Sequence, residues 1–224
     1  MSNLLNSSIG KKLLMGTAGL FLCVFLIVHL SINLLLLRND NGAAFTTAAN
    51  FMTTNLLIRV MEIVLFGAFI LHILYGLILQ IQNWLARTVR YARINYSQTS
   101  FFSKYMIHSG AIIFAFLALH FVNFYFVKLG LTSPPRGQTV VESRHDFYHM
   151  AINLFTNKIY SVIYIAFMIF LGFHLIHAFQ SAFQTLGWNH KKYTMIINIT
   201  GWIYAIVIPL GFAIIPVYFM FFYH

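Results

Sequence analysis

The chain has 224 residues, of which 60% are hydrophobic and only 8% charged, with a mean hydropathy of +0.79. Soluble domains carry about 25% charged residues, so 14 Lys and Arg with 4 Asp and Glu cannot clothe a water-soluble surface. The hydrophobic content equally excludes a disordered chain, and the net charge of +10 sits mostly between apolar runs, where membrane topology and anionic lipid account for it without a nucleic-acid partner.

In chain order, Lys11-Lys12 precede a first apolar run at about 14–37, too long for the roughly 7–15 residues of a signal-peptide core and not followed by an A-x-A site. It is expected to remain as a membrane span. Cys23 lies within it, and one thiol makes no internal disulfide, iron–sulfur cluster or four-thiolate zinc site. A connector with Arg38, Asp40 and Asn/Gly turn signals leads to a second run at about 56–81. Arg87, Arg90, Arg93 and Lys104 then precede a third run at about 105–128. A connector with Pro134-Pro135 leads to a fourth at about 158–182, and Lys191-Lys192 precede a fifth at about 194–221. Each run suits a helix crossing a bilayer, and the alternation of a membrane barrel is absent. The expected fold is an all-α membrane protein, one bundle of five transmembrane helices. None of the connectors is long enough for a catalytic domain. With the N-terminus inside, inner segments carry 8 Lys/Arg and outer segments 6, which predicts a cytoplasmic N-terminus and an outer C-terminus.

Five of the ten histidines lie well inside spans: His29, His72, His120, His174 and His177. Ionisable groups there are costly and usually functional. At about 1.5 Å per residue from the inner end of each span, His29 and His120 both lie about 22 Å up, and His72 and His174 about 13 and 12 Å up. The two level pairs fall on spans one and three and on spans two and four. Two imidazoles from facing helices are the axial ligands that a b-type heme needs. The first four spans would thus form a heme-binding bundle with two hemes, one above the other. Zinc is disfavoured because no Cys, Asp or Glu completes either level. A proton relay does not explain the pairing by depth. Gly76 and Ala178, one turn beyond His72 and His174, suit a large planar guest or close helix packing. His177 competes with His174 as ligand, but the depth of His174 matches His72 better. His108, His145, His149, His190 and His224 read as interfacial or solvated. Glu62, the one carboxylate inside a span, reads either as a helix-end partner of Arg59 or as a proton-exchange group at a quinone site. Asn33 and Asn123, one turn beyond His29 and His120, are candidate heme or quinone contacts or interhelical hydrogen-bonders.

Four segments carry a family likeness: G-L-F-L-C-V-F-L-I-V-H-L-S-I-N ending at Asn33, M-E-I-V-L-F-G-A-F-I-L-H-I-L-Y-G ending at Gly76, A-L-H-F around His120, and F-H-L-I-H-A-F-Q-S-A-F-Q-T-L-G-W ending at Trp188, with A-A-N-F-M at 48–52 between the first two. Over about residues 10–221 the chain resembles the five-span, di-heme cytochrome b membrane anchor of the succinate dehydrogenase and fumarate reductase family. The resemblance implies iron ligation by His29 with His120 (outer heme) and by His72 with His174 (inner heme), and puts His177 at a non-ligand position. Ala178 departs from the glycine frequent there. It implies a separate flavoprotein subunit that interconverts succinate and fumarate, a separate iron–sulfur subunit, and a membrane quinone, expected to be menaquinone, near the outer heme. The expected activity is an oxidoreductase step of the respiratory chain and tricarboxylic acid cycle at the inner (cytoplasmic) membrane. Two alternatives stay open: a cytochrome b subunit of another respiratory dehydrogenase or hydrogenase, and a heme-free transporter or scaffold.

Overall fold

The computed structural model describes residues 7–85, 105–188 and 190–223, with the side chains of Ser8 and Lys191 left aside, and within these it is all-helical. Arg87, Arg90, Arg93, Lys104 and His224 lie outside the described residues. The helices are α1 (Ser8–Asn33), α2 (Ala43–Thr54), α3 (Leu56–Leu85), α4 (Met106–His120), α5 (Phe147–Phe155), α6 (Lys158–Thr185) and α7 (Lys191–Phe221). A π turn, Phe121–Tyr125, and a last α turn, Phe126–Lys128, continue α4. Five helical stretches, on α1, α3, α4, α6 and α7, are long and apolar enough to cross a membrane. Ile63, Ile169 and Leu210 are each more than half exposed on them, as a lipid-facing surface requires.

The helices outrun the apolar sequence. The first begins at Ser8 rather than near residue 14, because the Ser7 hydroxyl accepts the Gly10 N–H at 3.0 Å and caps it. The last begins at Lys191, where His190 Nδ1 accepts the Lys192 N–H at 3.3 Å. Polar Gln82 and Asn83 in α3 and Gln184 and Thr185 in α6 end the hydrophobic signal a turn before the helix ends.

α1, α3, α4 and α6 stand as a square. α1 packs on α3 and α6, α4 packs on α6, and α3 meets α4 only lightly. The diagonals, α1 to α4 and α3 to α6, are not closely packed. α7 lies outside the square against α6 and α1, sealing Cys23, Leu30, Met168, Leu171 and Ile208 into a common core. Pro209 within α7 lacks the N–H that would bind the Ala205 carbonyl. That oxygen instead stands over Gly172, where a Cβ would lie 3.1 Å from it, so α6 and α7 meet at a glycine.

The short helices α2 and α5 cover one end of the square, hereafter the capped end. Leu36, Phe45, Leu154, Phe155 and Phe219 form their core. Asn153, 2% exposed, pins the preceding loop: its Oδ1 accepts from the Thr139 N–H and hydroxyl, and its Nδ2 donates to the Pro135 and Thr139 carbonyls. α2 starts at Gly42, whose φ of +78° favours glycine and whose missing Cβ would lie 2.5 Å from the Tyr148 ring. Gly42→Ala is therefore expected to destabilise the cap by about 1–3 kcal/mol, measured as a lower thermal midpoint in detergent. An unchanged midpoint would mean that the cap does not contribute to the cooperative unit.

Candidate functional site

Each diagonal of the square is bridged by two imidazoles. The rings of His29 (α1) and His120 (α4) have centroids 5.9 Å apart and planes at 84°. Those of His72 (α3) and His174 (α6) are 6.3 Å apart at 74°. The first pair lies nearer the capped end. The second lies sixteen residues into both of its helices, counted from Leu56 and Lys158. The pairing by depth and the pairing in space are therefore the same. His177, half-buried and three residues along α6, is in no ring pair with His72 among the described residues.

The hydrogen bonds of these imidazoles run through Nδ1 and, among the described residues, none runs through Nε2. His72 Nδ1 lies 3.4 Å from the Met15 carbonyl, which only accepts, so Nδ1 carries the hydrogen. His174 Nδ1 lies 3.2 Å from the Ser109 hydroxyl. A neutral imidazole with hydrogen on Nδ1 offers its Nε2 lone pair as a metal ligand. The pair near the capped end is held differently. Asn33 Nδ2 donates to the His29 carbonyl at 2.7 Å and lies 3.4 Å from its Nδ1, while His120 Nδ1 is buried without a partner among the described residues. Asn123 is buried on the π turn and donates to the Tyr164 hydroxyl at 3.0 Å, an interhelical bond from α4 to α6. Helices often carry π turns beside functional sites.

The geometry can be tested against the cofactor the sequence implies. A metal–imidazole bond of about 2 Å, plus about 1 Å from nitrogen to ring centre, puts two axial imidazole centroids roughly 6 Å apart. Both pairs meet that spacing. Each level brings two imidazole rings together across a loosely packed diagonal. An orphaned ring nitrogen on His120 and two glycines add to the fit. A Cβ on Gly19 would lie 3.3 Å from His72, and one on Gly110 would lie 3.6 Å from His174. The residues present thus suit two bis-imidazole planar groups.

Aromatic rings separate the two levels. Phe25 stacks on His29 at 5.2 Å and Phe116 on His120 at 5.7 Å, each one turn away along its own helix. Phe25 also meets Phe69 on α3, and Phe116 meets Phe167 on α6. The sequence reading missed these phenylalanines and the two glycines, although one pattern marks them. G-x5-F-x3-H occurs at Gly19–Phe25–His29 and again at Gly110–Phe116–His120. α1 and α4 thus carry the same glycine, phenylalanine and histidine spacing.

Glu62 departs from the expected pairing. Its partner is Lys128, whose Nζ donates to both carboxylate oxygens at 3.0 and 3.1 Å, joining α3 to the end of the third span. Arg59 bonds to the backbone instead, its Nε donating to the Thr53 carbonyl at 3.2 Å. The reason is reach across helices: the third span ends beside the start of the second, and a lysine there outcompetes a neighbour one turn back. Glu62 and Lys128 line a cavity of about 370 Å³ with Arg59, Phe66, Tyr125 and His145. Lys128, Tyr125 and His145 gave no sequence signal for this grouping. Of the other histidines, His149 pairs with Asp146 at 2.8 Å, and His108 lies against the Tyr105 ring.

No family model, no curated protein and no solved structure matches the chain.

A double-mutant cycle of Glu62→Gln and Lys128→Met should give a coupling of about 1 kcal/mol in thermal or denaturant unfolding, the upper range for a partly exposed pair. Zero coupling would leave the 3.0 Å contact without energetic weight.

Proposed function

We propose that the chain is the di-heme cytochrome b membrane anchor of a succinate:quinone oxidoreductase, of the succinate dehydrogenase and fumarate reductase type. In this reading it links an iron–sulfur subunit, itself fed by a flavoprotein, to a membrane quinone, expected to be menaquinone. The observation that carries it is the pair of diagonals: four histidines from four helices meet two by two, at 5.9 and 6.3 Å. Two b hemes, when bound, would supply one-electron carriers at two depths of the membrane.

The chain's own residues have separate tasks. His29 with His120, and His72 with His174, would each supply a pair of imidazole nitrogens to the group held between them. Gly19 and Gly110 keep the α1 and α4 surfaces low beside the second pair. Lipid-facing Ile and Leu exclude water from the helices, and α2 with α5 closes one end. A quinone that takes up two electrons must also take up two protons, or leave charge in apolar surroundings. Glu62, at the capped end, can hold and release a proton at its carboxylate, and the cavity it lines with Lys128 and His145 is a route for one. Placing the capped end outside follows from the Lys/Arg distribution, with the N-terminus cytoplasmic and the chain in the inner (cytoplasmic) membrane.

Single replacements test the ligand assignment. Ala at His29, His72, His120 or His174 should remove one heme and leave the other spectrally recognisable, whereas His177→Ala should keep two. Retention of two hemes by both the His72 and His174 variants would refute the pairing. Isolation with a molybdenum or nickel enzyme in place of a flavoprotein would move the chain to another respiratory complex. Glu62→Gln should slow quinone-coupled turnover about tenfold or more, with heme content intact. Unchanged turnover would make Glu62 purely structural.

A further inference from the structure

We propose that Ser109 is a positioning residue for His174: its hydroxyl oxygen accepts the Nδ1 hydrogen and so keeps the Nε2 lone pair turned to the interior between α3 and α6. The inference rests on the heme reading of the His72–His174 pair and deepens it.

Ser109 is 8% exposed on the first turn of α4. Its Oγ lies 2.9 Å from the Met106 carbonyl and 3.2 Å from His174 Nδ1. A serine hydroxyl has one hydrogen to donate. The carbonyl can only accept, and it is the nearer partner, so the hydrogen goes there. Oγ then faces Nδ1 with a lone pair, and Nδ1 must carry a hydrogen. Neutral imidazole has only one, so Nε2 is left bare. The next residue, Gly110, lets the ring lie close to α4, where a Cβ would meet His174 Cε1 at 3.6 Å. Ser109 and Gly110 together set both the tautomer and the position of the ring.

His72 has the same arrangement on the other diagonal helix, with the Met15 carbonyl as acceptor and Gly19 as the gap. That acceptor belongs to the backbone and no substitution removes it. Ser109 is a side chain, so it is the point at which the ligand strength of this pair is set by sequence. An acceptor at Nδ1 makes the imidazole a stronger donor at Nε2 and favours the oxidised metal. Without it, His174 would carry an unpaired N–H in an apolar site or turn to the other tautomer.

The test is redox titration of b-heme absorbance on the full-length chain, with heme quantitation, for wild type, Ser109→Ala, Ser109→Cys and Ser109→Thr. Ser109→Ala should raise the midpoint of the heme held by His72 and His174, shifting its oxidised-to-reduced ratio about tenfold, or about 59 mV for one electron. The other heme should titrate as in wild type, and Ser109→Thr should restore both. Cysteine is a weak acceptor of similar size, so Ser109→Cys should shift the same heme in the same direction, and it carries the test if the Ala variant does not assemble. Titration of the Ala or Cys variant as wild type would overturn the inference. Failure of the underlying reading is separately visible: wild type would lack heme, or His174→Ala would retain two.

Discussion

A ring nitrogen inside a membrane bundle has no water to bind, and that constraint organises the molecule. Eight nitrogens of four imidazoles enter the apolar interior. Three of the four Nδ1 atoms have a neighbour within hydrogen-bond distance, on Asn33, Met15 or Ser109, and that of His120 has none among the described residues. The rings face one another in pairs across the diagonals, with centroids 5.9 and 6.3 Å apart. Groups so costly to bury persist only if something rewards them. A metal held between His72 and His174 would use the lone pairs that their Nδ1 hydrogen bonds leave free.

The square of helices gives those pairs their room. Adjacent helices touch, while the diagonals stay apart, so the bundle interior is defined by side chains rather than by close backbone contact. α7 does not enter the square. It backs α1 and α6, and its Tyr204 hydroxyl donates to the Cys23 carbonyl at 2.8 Å. Helix α7 therefore acts on the site by fixing the α1–α6 side, while the α3–α4 side is held by the Glu62–Lys128 pair and by Phe66 against Tyr125 near the capped end.

Much of this was legible before any coordinates. Hydropathy marked five spans because each must satisfy its backbone internally and face lipid. The rise per residue ranked the histidines by depth because a helix converts sequence distance into height. The helix ends were less legible. Gln82, Asn83, Gln184 and Thr185 are polar but helical, since a helix continues past the hydrocarbon edge. The partner of Glu62 was not legible, because Lys128 lies 66 residues away and only the packing of two spans brings them together. Ser109 was hidden for the same reason, 65 residues from His174. Gly19 and Gly110 were within reach, through the repeated G-x5-F-x3-H pattern, but a glycine in a membrane helix has many commoner explanations.

The central claim is that the two diagonals are two heme sites. The most direct measurement is a reduced-minus-oxidised spectrum of the purified full-length chain, with heme extracted and quantified against protein. Two b hemes per chain, both low-spin and six-coordinate, is the result expected from two bis-imidazole pairs. A chain with no b-heme absorbance, or with a single heme, would contradict it.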